Sequence, residues 1–163
     1  PQVTADSDTI KTGALSVNPD ADVNVSFVGS WDDVVKGQQV AQAQIDRGVD
    51  VLIIIGDAFA PPAIKLAESK GILAIGGWSG DAYDLAPNTI ITSGVQDVPF
   101  VYLKMAEQFN DGTLTGNSTW VSGFAEGTQK LGKWGDFVPQ DVKDKVEGAV
   151  KDYLDGKLDI GVK

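Results

Sequence analysis

At 163 residues, with 42% hydrophobic and 22% charged, the chain has the size and composition of one globular domain with a core, and no run reaches the roughly 18 apolar residues of a membrane-spanning helix. The net charge of −10, from 13 Lys and Arg against 23 Asp and Glu spread along the chain, repels polyanions and argues against a nucleic-acid partner. With neither Cys nor His, the chain has no disulfide, thiolate nucleophile or sulfur metal site, and it lacks the usual general base and metal ligand; no metal or cofactor is expected, and an enzyme is disfavoured.

The chain opens on Pro1-Gln2-Val3-Thr4, without an initiator Met or the basic and apolar regions of a signal peptide, and reads as a mature product or an excised piece. Asp6, Ser7 or Asp8 is expected to cap a first helix running to Val17, stopped by Asn18-Pro19. An apolar run over 23–28 follows as a strand, and Asp32 or Asp33 then caps a helix with Val40 and Ile45 on its apolar face, ended at Gly48. "VLIIIG" over 51–56 lacks polar alternation and reads as a central strand buried on both faces. Pro61 and Pro62 suit the first turn of the next helix, with Gly71 as its stop. Strands over 72–75 and 89–92, a helix over 98–109, a strand over 119–124 containing Trp120 as a core residue, and an aperiodic stretch over 126–138, a surface loop or a short irregular helix containing Trp134, come next. Pro139-Gln140-Asp141 opens a last helix, with Val142, Val146, Val150 and Leu154 recurring every four residues. Strands alternating with helices predict an α/β fold with a parallel sheet, as one lobe over 1–163.

In such sheets ligands bind beyond the carboxyl ends of the strands. That places Ser30, Trp31 and Asp32 after the first strand, Gly56, Asp57 and Phe59 after the second, and Gly77, Trp78 and Ser79 after the third; Gln96 and Asp97 follow the fourth, and Ala125 and Glu126 the fifth. Aromatic faces suit stacking on a flat ring, and neighbouring carboxylates accept hydrogen bonds from amino or hydroxyl groups. Packing against the following helix competes with ligand stacking for Trp31, surface packing competes for Trp78, and helix capping is the leading role for Asp32 and Asp33. Asp57 has few structural tasks at a strand end. No Walker loop or Rossmann glycine fingerprint is present, and "SGFAEG" has Phe124 where a nucleophile elbow needs its nucleophile. A receiver-type phosphoacceptor role for Asp57 lacks the accompanying acidic pair and Lys.

The stretches "GALSVNPDADVNVSFVGSWDDVVKGQQVAQAQIDRGVDVLI", "AIKLAESKGILAIG", "LAPNTIITSGVQD", "FAEG" and "VPQDVKDKVEGAVKDYLDGKL" run in the order of the C-terminal portion of the basic membrane protein family. The chain thus resembles the purine-nucleoside-type solute-binding lipoproteins of bacterial ABC importers. The resemblance implies a type I periplasmic-binding-protein fold, a three-layer lobe here, with segments near 97–118 crossing back to an N-terminal lobe that the chain does not include. It further implies an ABC permease as partner, a periplasmic or extracellular, lipid-anchored location, and no catalysis. Trp31 matches the aromatic that stacks on the base, and Gly56 with Asp57 fall where family glycines approach the ligand. Gly77-Trp78 stand where the family often has a ribose-binding Asp, and Ala125 where it often has Lys. The expected ligand is therefore a bare purine base or another flat heterocycle, with Trp78 as a second stacking wall and Phe59 shaping the pocket. A sensor or regulator reusing the fold is the alternative, and a nucleoside hydrolase using Asp57 a distant third.

Overall fold

The structure, a computed structural model, describes residues 2–78, 80–117 and 122–159, with the side chains of Gln2, Val3, Ala5 and Trp78 set aside. The chain falls into two compact units, one formed by Pro1–Phe27 with Asp144–Lys163 and the other by Val28–Lys143.

In the first unit, α1 spans Gln2–Val17. Asp6, Ser7 and Asp8 lie inside it rather than at its start, where the Ser7 hydroxyl donates back to the Thr4 carbonyl at 2.8 Å. The helix does end at Val17, and Asn18 takes its place in a turn through its N–H to the Ala14 carbonyl. The strand expected over 23–28 does not form: the backbone is irregular, with Val25 and Phe27 exposed. Alternating Val23, Val25 and Phe27 fit a pleated surface, but a strand exists only through its ladder, and the sheet among the described residues does not include this segment. The last helix, α5, spans Gln140–Leu154, close to the expected bounds, and the boundary between the units falls within it.

The second unit is a mixed α/β arrangement around a four-stranded, mostly parallel sheet, as the alternation of apolar runs predicts. Its strands are β1 (Val51–Ile55), β2 (Leu73–Trp78), β3 (Ile90–Gln96) and β4 (Gln129–Leu131), in the spatial order β1-β2-β3-β4. β1, β2 and β3 are parallel, and β4 runs antiparallel to β3. β4 corrects the reading of 126–138 as a surface loop or a short irregular helix. At three residues it is too short to show a period, and its register, Lys130 opposite Val95, is set by its partner. Of the strand expected over 119–124, residues 119–121, including Trp120, lie outside the described residues; Ser122, Gly123 and Phe124 are not strand. Their turn is closed by the Gly123 N–H donating to Glu126 Oε2 at 2.7 Å.

β1 is a second correction. Among the described residues it pairs only with β2, so it is an edge strand rather than a central one, with Leu52 and Ile54 buried and Ile53 44% exposed. The missing alternation in "VLIII" does not report burial on both faces.

Helix α2 (Val34–Asp46) packs on α3 (Ala60–Lys70), and α3 packs on β1 and β2. Alanines permit the close approach: Ala63, Ala67 and Ala74 are buried together with Leu52, Ile54, Ile64 and Ile90. Pro61 and Pro62 occupy the first turn of α3, where their missing N–H groups cost nothing, and Gly71 ends it in the left-handed region at φ 69°. Helix α4 (Val98–Asn110) is capped by Asp97. The cap of α2 is Asp33, whose Oδ1 accepts the Lys36 N–H at 2.9 Å, while Asp32 serves no cap. Asp33→Ala is expected to destabilise the unit by about 1 kcal/mol, and Asp33→Asn by much less, in urea unfolding followed by circular dichroism.

Candidate functional site

The register places the carboxyl ends of β1 and β2 side by side, with Ile55 opposite Gly77, so the residues that follow leave the sheet along one edge. Trp31 arrives there from the turn before α2. Gly29, at φ 76°, turns the chain, and the Ser30 hydroxyl then accepts the N–H groups of Asp32 and Asp33 at 3.2 and 3.1 Å. The Asp57 N–H donates to the Trp31 carbonyl at 3.3 Å, which joins the "GSWDD" turn to the end of β1. The Trp31 side chain is not buried against the following helix: the residue is 49% exposed.

Asp57 is exposed, and its carboxylate has no hydrogen-bond or ion-pair partner among the described residues. Its backbone carbonyl accepts the Ala60 N–H at 3.1 Å, which starts the turn into α3. The edge thus offers an exposed indole tied through the main chain to an unpaired carboxylate. Lys36 adds a cation: its Nζ would lie 3.4 Å from a Cβ built on Gly29. Nothing in the sequence marked Lys36 except its place in the first turn after the Asp33 cap.

Phe59 and Gly56 form the support beneath. Phe59 is 6% exposed, and a Cβ on Gly56 would stand 2.1 Å from its ring, one on Gly37 2.5 Å from its Cβ. Both glycines therefore make room for Phe59, which braces the β1 exit from below. Trp78 is the last residue of β2, paired with Val95; its side chain and Ser79 lie outside the described residues.

At the end of β3, the Asp97 carboxylate accepts the Phe100 N–H at 3.2 Å and pairs with Lys130 Nζ at 3.0 Å. The hydrogen bond from Lys130, then that from Phe100, hold this carboxyl below the usual carboxylate range. A depressed carboxyl stabilises the fold above the unfolded pKa of about 3.9, and the contribution is lost as pH falls through the lower folded value. Lys130→Met is expected to raise the Asp97 midpoint in a carboxyl-carbon NMR titration; an unchanged midpoint would leave the Phe100 N–H as its sole cause. No group of acidic residues able to hold a metal ion occurs among the described residues, and none of their helices is long and apolar enough to cross a membrane.

Comparison with known proteins gives this edge a context. The chain is 35% identical over 158 residues to a purine-binding protein of Brucella abortus (strain 2308), covering 97% of the chain and 44% of the relative. It is also 35% identical over 141 residues to the transcriptional activator protein Med of Bacillus subtilis (strain 168), covering 86% and 44%. The crystal structure of a transcriptional activator of the comK gene from Bacillus halodurans superposes with a TM-score of 0.74 at 32% identity, over 80% of the chain and 45% of that structure. The chain thus spans less than half the length of these relatives. The model of the PnrA-like ABC transporter substrate-binding protein family matches residues 1–157. With nearly the whole chain matched in this way, the protein belongs to that family, one of substrate-binding proteins and not of enzymes.

Proposed function

We propose that the chain is one lobe of the solute-binding component of a bacterial ABC importer, and that it captures a purine base or a related flat heterocycle at the carboxyl edge of β1 and β2. The observation that carries this reading is the exposed Trp31 indole joined through its carbonyl to Asp57, whose carboxylate is unpaired. Trp31 stacks on the ring, Asp57 accepts hydrogen bonds from its amino or hydroxyl groups, and Phe59 with Gly56 supports the edge. Trp78 supplies a second wall. The purine-binding name of the Brucella relative supports the ligand class.

The reading includes a second lobe closing on the first, an ABC permease as its partner, and a periplasmic or extracellular, lipid-anchored setting. The chain spans 44% of the length of its relatives, in keeping with a second lobe. Helix α4, within the segments near 97–118 assigned to crossing back, exposes Tyr102, Leu103, Met105 and Phe109 and is the surface on which that lobe would seat. The test is calorimetric titration of adenine, guanine, adenosine and guanosine into the chain, alone and joined to whatever coding sequence precedes it. Binding of a base or nucleoside but not of glucose is expected; no heat from any purine with the folded joined protein would overturn the reading.

A regulatory protein on the same fold is the second reading, favoured by the two transcriptional activators among the relatives. Cell fractionation separates the two: recovery with the envelope supports transport, recovery with the cytoplasm supports regulation.

A further inference from the structure

In the irregular segment that leads from α1 towards α2, the chain reads Asp22-Val23-Asn24-Val25-Ser26. An asparagine with a hydroxyl residue two positions on, and no proline between them, is the acceptor pattern of N-linked glycosylation. A transferase binds the hydroxyl residue and presents the asparagine amide nitrogen to the sugar. Asp22, two positions before Asn24, extends the pattern to the acidic form that bacterial transferases read, and Val23 also keeps proline out of it. Asn18, Asn88 and Asn110 lack the hydroxyl, having Asp20, Ile90 and Gly112 at that position. Asn117 has Thr119 after it but Thr115, not an acid, before it. Only Asn24 therefore carries the acidic form.

Such a pattern is usable only where a transferase can reach it. Asp22, Asn24, Val25 and Ser26 are all exposed, and residues 21–28 are neither helix nor strand. The turn before them closes with the Ala21 N–H donating to the Asn18 carbonyl at 3.1 Å, and Gly29 turns the chain after them at φ 76°. Between these turns the backbone can bend into a transferase groove without opening a helix or a ladder, a cost that an acceptor inside α1 would carry. The strand pattern that forms no strand is thus what leaves the acceptor accessible. A glycan is bulky and hydrated, and at Asn24 it would stand beside the exposed Val25 and Phe27.

We propose that Asn24 is an acceptor for N-linked glycosylation by an oligosaccharyltransferase of the bacterial type, with a lipid-linked oligosaccharide as donor. Asn24 Nδ2 forms a bond to C1 of the first sugar, and the bond from C1 to the lipid diphosphate oxygen breaks. The lipid diphosphate leaves with the electron pair, one amide proton passes to a base of the transferase, and nothing is oxidised or reduced. The proposal rests on the proposed function only for a location outside the cytoplasm, where such a transferase works. Neither purine binding nor a permease enters it.

The test produces the whole chain behind a cleavable signal peptide in bacterial cells that carry such a transferase and its donor. Trypsin cuts after Lys11 and Lys36, so mass spectrometry reads Asn24 in the peptide 12–36. The glycan mass is expected on that peptide, placed on Asn24 by fragmentation, with Asn117 bare. Asn24→Gln and Ser26→Ala are expected to abolish it, Ser26→Thr to retain it, and Asp22→Ala to reduce it to a trace. A bare 12–36 peptide, in cells that modify a reference acceptor protein, overturns the proposal. So does a glycan that survives Asn24→Gln, or one on Asn117 alone. A second measurement needs no variant: the purified, folded chain is incubated with purified transferase and donor. Modification of the folded chain is expected, and modification only after unfolding in urea overturns the accessibility on which the proposal stands. Failure of every purine to bind counts against the proposed function and leaves these results standing.

Discussion

Phe59→Ala is expected to lower the stability of the Val28–Lys143 unit by about 3–5 kcal/mol, visible as a lower urea midpoint with an unchanged slope. The ring is buried and fills the space that Gly37 and Gly56 leave beside it, so its removal opens a cavity bounded by main chain from α2 and from the β1 exit. Backbone in a helix and at a strand end relaxes little, which puts the cost at the upper end for a core aromatic. The same geometry predicts non-additivity. Gly56→Ala alone forces its methyl into the Phe59 ring, at a cost of about 1–3 kcal/mol; in the Phe59→Ala chain that methyl enters the vacated space and the cost vanishes. A Gly56 penalty that survives the loss of Phe59 would mean that Gly56 is glycine for its backbone approach to a ligand, as the family resemblance implies, and not for packing.

How far the sequence revealed this site depended on whether each signal was local. The "VLIII" run, the Pro61-Pro62 start and the Gly71 stop of α3, and the Asp33 cap are all set within a few residues, and the structure has each of them where the sequence puts it. Asp57 follows β1 as the strand-end rule has it, but Trp31 follows a segment that is not strand and meets Asp57 through a main-chain hydrogen bond instead. What depends on a distant partner was not legible. The segment over 23–28 has a strand pattern but is not strand, and β1 is an edge strand among the described residues. β4 is too short to carry a pattern, and Asp81 is linked to Ser93 and Lys133 across 12 and 52 positions by hydrogen bonds that no spacing announces.

Trp31→Ala is expected to weaken purine binding by roughly 5- to 150-fold, the equivalent of about 1–3 kcal/mol for a base stacked on an aromatic ring. The stability of the unit should change by less than about 0.5 kcal/mol, since the residue is exposed and its turn is held by main-chain groups and the Ser30 hydroxyl. Trp134→Ala supplies the contrast. Trp134 is half-buried in the segment after β4, away from the β1 exit, so its loss should cost stability and leave affinity unchanged. Equal losses of affinity in the two variants, measured by calorimetry well below either unfolding midpoint, would remove Trp31 from the site. Asp57→Asn completes the set, because it neutralises the carboxylate at nearly constant volume and replaces one acceptor oxygen by a donor. For a base that presents only donors to this position, its affinity should fall about tenfold. The two substitutions divide the proposed recognition into a face and an edge: Trp31→Ala should weaken all flat heterocycles alike, whereas Asp57→Asn should weaken most those with an amino group and spare those with a carbonyl in its place.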